Sequence, residues 1–292
     1  MLALLVVAVV VGAVLFLDSI VKTGISTVGS RVLGVPTQAG DVSIGIASGK
    51  SSIERLEVDN PPGYAPVKFV SLGSLAVDAP FAGLTGDKIV IERIALTDLV
   101  VDLEKAKDGK LNVERIVENI KRATGAGGEA GKPDEKPAEP AAEPKEAVVR
   151  ELRIERLRVH LRHIAGGKDG VVEVKLPDIV VRDLSSKGGV DVLASELSGV
   201  VIGSVLKSVV AANIEGLGAE VLGGLQGAIE GVGSVLDEHL RGAVDLGVQG
   251  ATKALEGAGK LLDEGVKGAG KALDEGIKGV GNALEGVFGG KK

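Results

Sequence analysis

The feature that most restricts the fold of this 292-residue chain is a proline-free apolar stripe in its C-terminal part. No proline follows Pro177, and from Ile214 to Phe288 an apolar residue recurs at every third or fourth position. The mean step of about 3.7 residues is close to the 3.6 residues of one α-helical turn. The pattern therefore predicts one very long amphipathic helix over residues 190–289.

The last part of the stripe is an 11-residue repeat. Residues 262–272 are followed by a second copy at 273–283, and residues 251–261 form a weaker preceding copy. Eleven residues in three turns give a straight or slightly right-handed stripe. Glycine recurs in each copy, and each helical glycine costs about 0.8–1 kcal/mol relative to alanine. We therefore expect this helix to need a surface, and a largely disordered tail is the remaining alternative.

The apolar face of the predicted helix is the candidate contact surface. A membrane would accept its Leu, Val and Ile side chains while the lysines reach back to the headgroups. A partner helix, or a second copy of the chain, could instead approach closely over glycine and alanine. The predicted contact residues are Leu240, Val244, Leu255, Leu262, Val266, Leu273, Ile277, Val280, Leu284 and Phe288.

The N-terminus carries a second apolar segment. Residues 2–17 are apolar or glycine, and Ile20 and Val21 continue the run. Twenty helical residues span about 30 Å, the thickness of a bilayer core. No basic residue precedes the run and no small-residue cleavage site follows it. These features favour an uncleaved transmembrane anchor over residues 1–21, and a cleaved signal peptide is the competing interpretation.

Residues 22–123 have the pattern of a β-rich domain. β-Branched and leucine residues alternate with polar or small residues, which is typical of half-buried strands. Asn60-Pro61-Pro62-Gly63 predicts a turn, and Asn112 is the expected N-cap of a short helix through Lys121. The predicted strands lie at 42–46, 53–58, with a slip in the alternation, 67–77 and 89–103.

The composition changes twice after this domain. Four of the ten prolines fall within residues 124–146, among Gly, Ala, Glu and Lys, which indicates a disordered linker. Strand patterning returns over 147–184 around a glycine-rich turn at 166–170, as in a β-hairpin. Because a lone hairpin is marginally stable, we expect it to complete the preceding sheet. The predicted class is α+β, with an N-terminal transmembrane helix, a twisted, mainly antiparallel sheet and a very long C-terminal helix.

No catalytic, cofactor or metal site is evident in the sequence. The net charge of −6 argues against nucleic-acid binding, and the absence of cysteine excludes disulfides and thiolate ligands. Residues 265–271 approach a phosphate-loop motif, but Ala272 stands where Ser or Thr is required. His160 and His163 are three residues apart, which places them on opposite faces of a strand. We therefore expect a protein that is not an enzyme and needs no cofactor.

Five short motifs follow one another in the N-terminal half. The anchor runs into Leu17-Asp18-Ser19-Ile20, and then come VGSRVLGVP at 28–36, LEVDNPPGY at 56–64, IERI at 91–94 and DGKLN at 108–112. In this order they resemble the N-terminal region of the AsmA-like family over residues 1–122, with a weaker echo at 148–184. The resemblance implies a bacterial inner-membrane anchor, a periplasmic body and a β-sheet of the kind that forms lipid-handling grooves in longer members.

Two functional hypotheses follow from these patterns. In the first, the chain is a single-pass AsmA-like protein of envelope maintenance or lipid handling, whose partner is membrane lipid and whose C-terminal helix lies on a membrane. In the second, it is a structural or scaffold protein whose C-terminal helices self-associate or pack on a partner protein. A weaker third is a stress-protective tail that coats membranes.

Overall fold

The computed structural model describes eight stretches of the chain, namely residues 19–45, 48–80, 82–83, 88–123, 146–164, 170–187, 190–236 and 240–253. The chain forms two compact units, Met1–Ala251 and Thr252–Lys292, and all contacts below lie within the first. Most of the predicted anchor, nearly all of the linker and the 11-residue repeats fall outside the described residues.

The described residues form nine strands and five helices, so the α+β class is confirmed. The strands are β1 Thr37–Gly45, β2 Lys50–Asp59, β3 Lys68–Asp78, β4 Ile89–Ile91, β5 Arg93–Glu104, β6 Ala147–Glu155, β7 Arg158–Arg162, β8 Val171–Lys175 and β9 Ile179–Ser186. The helices are α1 at residues 19–33, α2 Asn112–Ala123, α3 Val190–Ala211, α4 Ala219–Gly233 and α5 at residues 240–253.

All nine strands belong to one mixed sheet. Strands β1, β2, β3 and β5 pair antiparallel in that order. Strand β5 then pairs in parallel with β6 and β7, which pair antiparallel with β9 and β8. The register is constant across the breaks, since Ile89 pairs with Ala147 and Glu104 with Arg162. A parallel pair needs a crossover connection, and helix α2 lies in that connection.

A row of backbone irregularities crosses the sheet. Arg55 in β2, Asp98 in β5 and Arg156 between β6 and β7 have φ angles of 62°, 57° and 52°. The strand register places these residues level with one another and with Gly73 of β3. The strand pairing stays one-to-one through this row, and the apolar alternation changes phase there, so that Leu72 and Leu75 of β3 both pack against the core. The slip in the apolar alternation that the sequence shows within 53–58 falls at Arg55, one residue of this row.

An ion pair holds the row together on the polar face of the sheet. The Asp98 carboxylate accepts hydrogen bonds from Nε and Nη2 of Arg156, both at 2.8 Å. These hydrogen bonds from the guanidinium lower the pKa of Asp98 below its usual value. A Cβ atom on Gly73 would lie 3.0 Å from the Cβ atom of Asp98, so glycine leaves room for this side chain.

Helix α1, which the strand pattern did not predict, packs along the edge strand β1. The Ser30 hydroxyl accepts a hydrogen bond from the backbone N–H of Thr37, and the Ser26 hydroxyl accepts one from Ala39. The close approach requires Gly29, whose Cβ would lie 2.8 Å from a Thr37 methyl carbon. The helix thus satisfies backbone groups that an exposed sheet edge would leave unpaired.

The prediction of one continuous helix over 190–289 is wrong for the described residues. Helix α3 ends at Ala211, and a turn follows in which Asn213 and Gly216 have φ angles of 46° and 88°. A second turn follows α4 and leads through Leu236 toward α5. The part of the apolar stripe that the structure describes, up to Ala251, is largely buried within the chain itself, because turns let separate helices reach the sheet and α2, which one straight rod could not do.

Two glycines of these helices have a clear packing role. A Cβ on Gly231 of α4 would lie 2.7 Å from a Val117 methyl of α2. A Cβ on Gly247 of α5 would lie 2.8 Å from the carbonyl oxygen of Val180 in β9. The helical propensity lost at such glycines is therefore offset by close contact with neighbouring elements.

Candidate apolar groove

An apolar groove lies between helix α3 and one face of the sheet. Its volume is about 330 Å³, within the usual range of about 300–1,000 Å³ for ligand pockets. Helices α1 and α2 contribute Leu33 and Val113 at its border. The sheet supplies Leu56, Val58, Phe69, Val70, Leu72, Leu75, Val77, Ile94, Leu96, Leu99, Val101 and Leu152, and α3 supplies Leu197, Ser198, Val201, Ile202, Val205 and Leu206.

The sheet wall is built from rows of paired apolar residues. Leu72 of β3 lies between Leu56 of β2 and Leu99 of β5. On the other side of the row of backbone irregularities, Leu75 pairs with Leu96. Neighbouring side chains of one face are in contact across such pairs. Because the alternation changes phase at that row, apolar residues from both sides of it line the same wall of the groove.

The groove offers an incoming molecule almost no polar group. Among the described residues, Ser198 is the single polar one in its lining, and its hydroxyl donates a 2.7 Å hydrogen bond to the Ala194 carbonyl of the same helix. Leu75, Leu96 and Val201 are only partly buried, so the mouth is bordered by aliphatic side chains. A polar ligand group would lose its hydration here without replacement. The groove is chemically suited to a hydrocarbon group.

A buried polar network closes the sheet beside the Asn60-Pro61-Pro62-Gly63 turn. The Glu104 carboxylate, 7% exposed, accepts hydrogen bonds from the Asn60 amide at 3.1 Å and from the Ala65 N–H at 2.9 Å. Asn112, fully buried, donates to Asn60 Oδ1 at 2.9 Å and to the Asp102 carbonyl at 2.7 Å. All these groups have partners, so the network is structural and holds the turn to β5 and α2.

Asn112 differs in detail from its predicted role as N-cap. It is the first residue of α2, and its Oδ1 accepts hydrogen bonds from Val113 and Glu104 N–H groups at 2.9 and 3.1 Å. The Glu114 carboxylate reaches back to accept a hydrogen bond from the Leu111 N–H at 2.6 Å, which is one of the two hydrogen bonds of a capping box. The helix start is therefore fixed one residue earlier than the sequence indicated.

The titratable groups cluster on the strands away from the groove. Arg162 donates to both oxygens of the Asp102 carboxylate, at 3.2 and 2.9 Å, which raises the pKa of Arg162. His160 lies between Asp102 and Glu173, with ring nitrogens at 3.6 and 3.3 Å from their carboxylates. Within the described stretches, no three His, Asp or Glu side chains are arranged to hold a metal ion.

Two of the ten predicted contact residues can be placed. Leu240 and Val244 on α5 are 2% and 1% exposed, buried in the chain's own core. In this fold they face the protein itself and not an external surface. The other eight, from Leu255 to Phe288, lie outside the described residues. Sequence patterns did not single out the groove, because its lining comes from residues that a stripe or an alternation marks only as buried.

One helix among the described residues is long and apolar enough to cross a membrane. This segment, Val192–Ala211 of α3, has a mean hydropathy of 1.5, and half of it is buried inside the protein. Buried core helices and membrane spans can both have this length and composition.

Comparison with known proteins gives no match to any family model and none to a curated protein.

Proposed function

We propose that this chain is a non-enzymatic, AsmA-like protein of envelope maintenance or lipid handling that holds a lipid acyl chain in the apolar groove. Residues 1–21 anchor it in the bacterial inner membrane as a single pass, and the described sheet and helices form its periplasmic body. The observation that carries this proposal is the groove of about 330 Å³ with no unpaired polar group in its lining.

The size of the groove supports a hydrocarbon ligand. A cavity of about 150 Å³ lined by Leu, Ile and Phe binds benzene, and this groove is about twice as large. Its open, aliphatic mouth allows one end of a longer molecule to remain outside, as a lipid headgroup would. The resemblance of residues 1–122 to the AsmA-like family is consistent with this use.

The scaffold alternative is less favoured over the described residues. It needs the apolar stripe of the C-terminal helices to be free for another chain, whereas Val221, Leu225 and Val232 of α4 are buried in the core together with Leu240 and Val244 of α5. Membrane or partner contact through the C-terminal repeats remains part of the proposal only for residues 254–289.

Photochemical labelling tests the proposal. The full chain is reconstituted in nanodiscs of phosphatidylethanolamine and phosphatidylglycerol that contain a phospholipid with a diazirine in its acyl chain. After illumination, peptide mapping is expected to find the label on strands β2, β3 and β5 and on α3. Absence of label from all these segments would contradict the proposal.

A matched pair of variants on β3 provides the control. Leu75→Gln places an amide at the groove, where its desolvation costs about 1–3 kcal/mol and lowers lipid labelling about tenfold. Ala76→Gln places the same amide on the exposed face of the same strand and should leave labelling unchanged. Equal labelling of both variants would show that lipid does not occupy the groove.

A further inference from the structure

Helix α3 borders the groove and is apolar on more sides than the described part of the chain covers. It contains 22 residues, a length of about 33 Å that matches a bilayer core. Helices that are apolar all round are normally fully buried or lipid-exposed. Only half of the Val192–Ala211 segment is buried. Its groove side, with Leu197, Val201 and Ile202, is only partly covered.

The contact between α3 and the sheet is loose. Protein interiors rarely contain voids larger than a water molecule, yet the groove of about 330 Å³ separates this helix from β3 and β5. Among the described residues, the buried hydroxyls of Ser204 and Ser208 on α3 have no hydrogen-bond partner, and such unpaired groups cost free energy in this packing.

The opposite side of α3 is packed tightly. A Cβ on Gly199 would lie 3.2 Å from a Leu236 methyl carbon, and one on Gly203 would lie 3.3 Å from a Val232 methyl carbon. Lys207 also forms an ion pair with Asp245 of α5. A rotation of α3 away from the sheet about the glycine line would therefore open the groove side and keep the contact with Val232 and Leu236, but it would separate Lys207 from Asp245 of α5.

We propose that α3 is the lid of the groove and that a lipid surface opens it. This inference rests on the proposed function, since the groove must accept an acyl chain. In water, opening would expose the leucine and valine side chains of both walls, so the lid stays closed. Against a bilayer, lipid tails cover the same side chains, and the free energy that holds the lid closed is lost because lipid tails are as apolar as leucine.

The Lys207–Asp245 pair provides a way to lock the lid. The chain contains no cysteine, so the double variant Lys207→Cys/Asp245→Cys carries the only two thiols. A short bismaleimide then ties α3 to α5, which the Gly247 contact holds against the backbone of β9. The matched control is the same double variant with both thiols blocked by N-ethylmaleimide. Equal circular dichroism spectra establish that both preparations are folded.

Both preparations are labelled in the nanodiscs with the diazirine phospholipid. We expect groove labelling in the control and its loss in the cross-linked protein. Hydrogen exchange of the α3 amides over 197–206 provides a second measurement, and faster exchange is expected in the control than in the cross-linked protein. Equal labelling and equal exchange would overturn the lid and leave the lipid-binding proposal standing. Labelling of neither preparation would overturn the proposed function, and the lid with it.

Discussion

Adding one methylene to either of two adjacent valines of α3 tests whether the groove is real free space. Val201 lines the groove and is partly buried, whereas Val200 is fully buried beside a gap of only about 10 Å³. The substitutions Val201→Ile and Val200→Ile are chemically identical and keep a β-branched residue in the helix, so helical propensity is nearly unchanged. Any difference between them reports the space around each side chain.

The expected magnitudes follow from these surroundings. At Val201 the new methylene enters the groove and stabilises the protein by at most about 0.8 kcal/mol, the value for one fully buried CH₂ group. At Val200 the same group has no space, and overpacking costs about 1–3 kcal/mol. The two variants should therefore differ by about 2 kcal/mol in the free energy of unfolding, with opposite signs relative to the parent protein.

Urea denaturation followed by far-ultraviolet circular dichroism measures this difference, because the chain has no tryptophan and a single tyrosine for fluorescence. The full chain is kept soluble in an amphipathic polymer without phospholipid, so that no acyl chain fills the groove. The denaturant dependence should be the same in all three proteins, so that a shifted midpoint reports stability alone. If Val201→Ile destabilises the protein as much as Val200→Ile, the groove has no free volume and the case for a ligand there fails.

Three further predictions concern the packing and the polar contacts. Gly247→Ala should destabilise the protein, because its Cβ would lie 2.8 Å from a backbone oxygen of β9. Gly250→Ala, whose Cβ would have nothing within 4 Å, should stabilise it by about 0.8–1 kcal/mol. Thermal unfolding should therefore show shifts of opposite sign for the two variants. Asn112→Ala should cost about 2 kcal/mol or more, measured by urea unfolding, since it leaves several buried groups unpaired, and an unchanged midpoint would refute a structural network. Asp98→Asn keeps a residue that tolerates the positive φ but removes the charge that Arg156 stabilises. Because the pKa of Asp98 is lowered in the fold, the stability that this carboxylate contributes is present at neutral pH and is lost as the pH falls below the ordinary value of about 3.9. The variant and the parent protein should therefore differ in urea midpoint at pH 7 and converge in acid.

Much of the strand content could be predicted from local pattern. Alternating apolar residues over 42–46, 53–58, 67–77 and 89–103 correspond to β1, β2, β3 and the interrupted β4–β5 strand. This agreement has a physical reason. One face of the sheet is buried and the other is charged, so apolar and polar residues alternate along each strand with a period of two. Even the slip within 53–58 had a local cause, the positive φ angle of Arg55.

Helix α1 and the groove could not be predicted in the same way. The sequence of α1 is rich in hydroxyl and glycine residues. Their role is evident only from the β1 edge that they contact, where Ser30 and Ser26 accept backbone hydrogen bonds. The lining of the groove joins residues from β2 to α3 that are more than 100 positions apart. No local periodicity reports which buried faces meet or how much space remains between them.

The C-terminal part shows most clearly which features the local sequence determines and which depend on the tertiary structure. The stripe by itself indicated that the described residues after 190 are largely helical and that one side of each helix is covered, because a spacing of three or four residues marks a single helical face. It could not determine what covers that face. The turn at 212–218 folds α4 and α5 back, so that Val232 and Val244 are buried inside the chain. An apolar side chain is stabilised equally by a membrane, a partner or its own sheet, and only the three-dimensional arrangement selects among them.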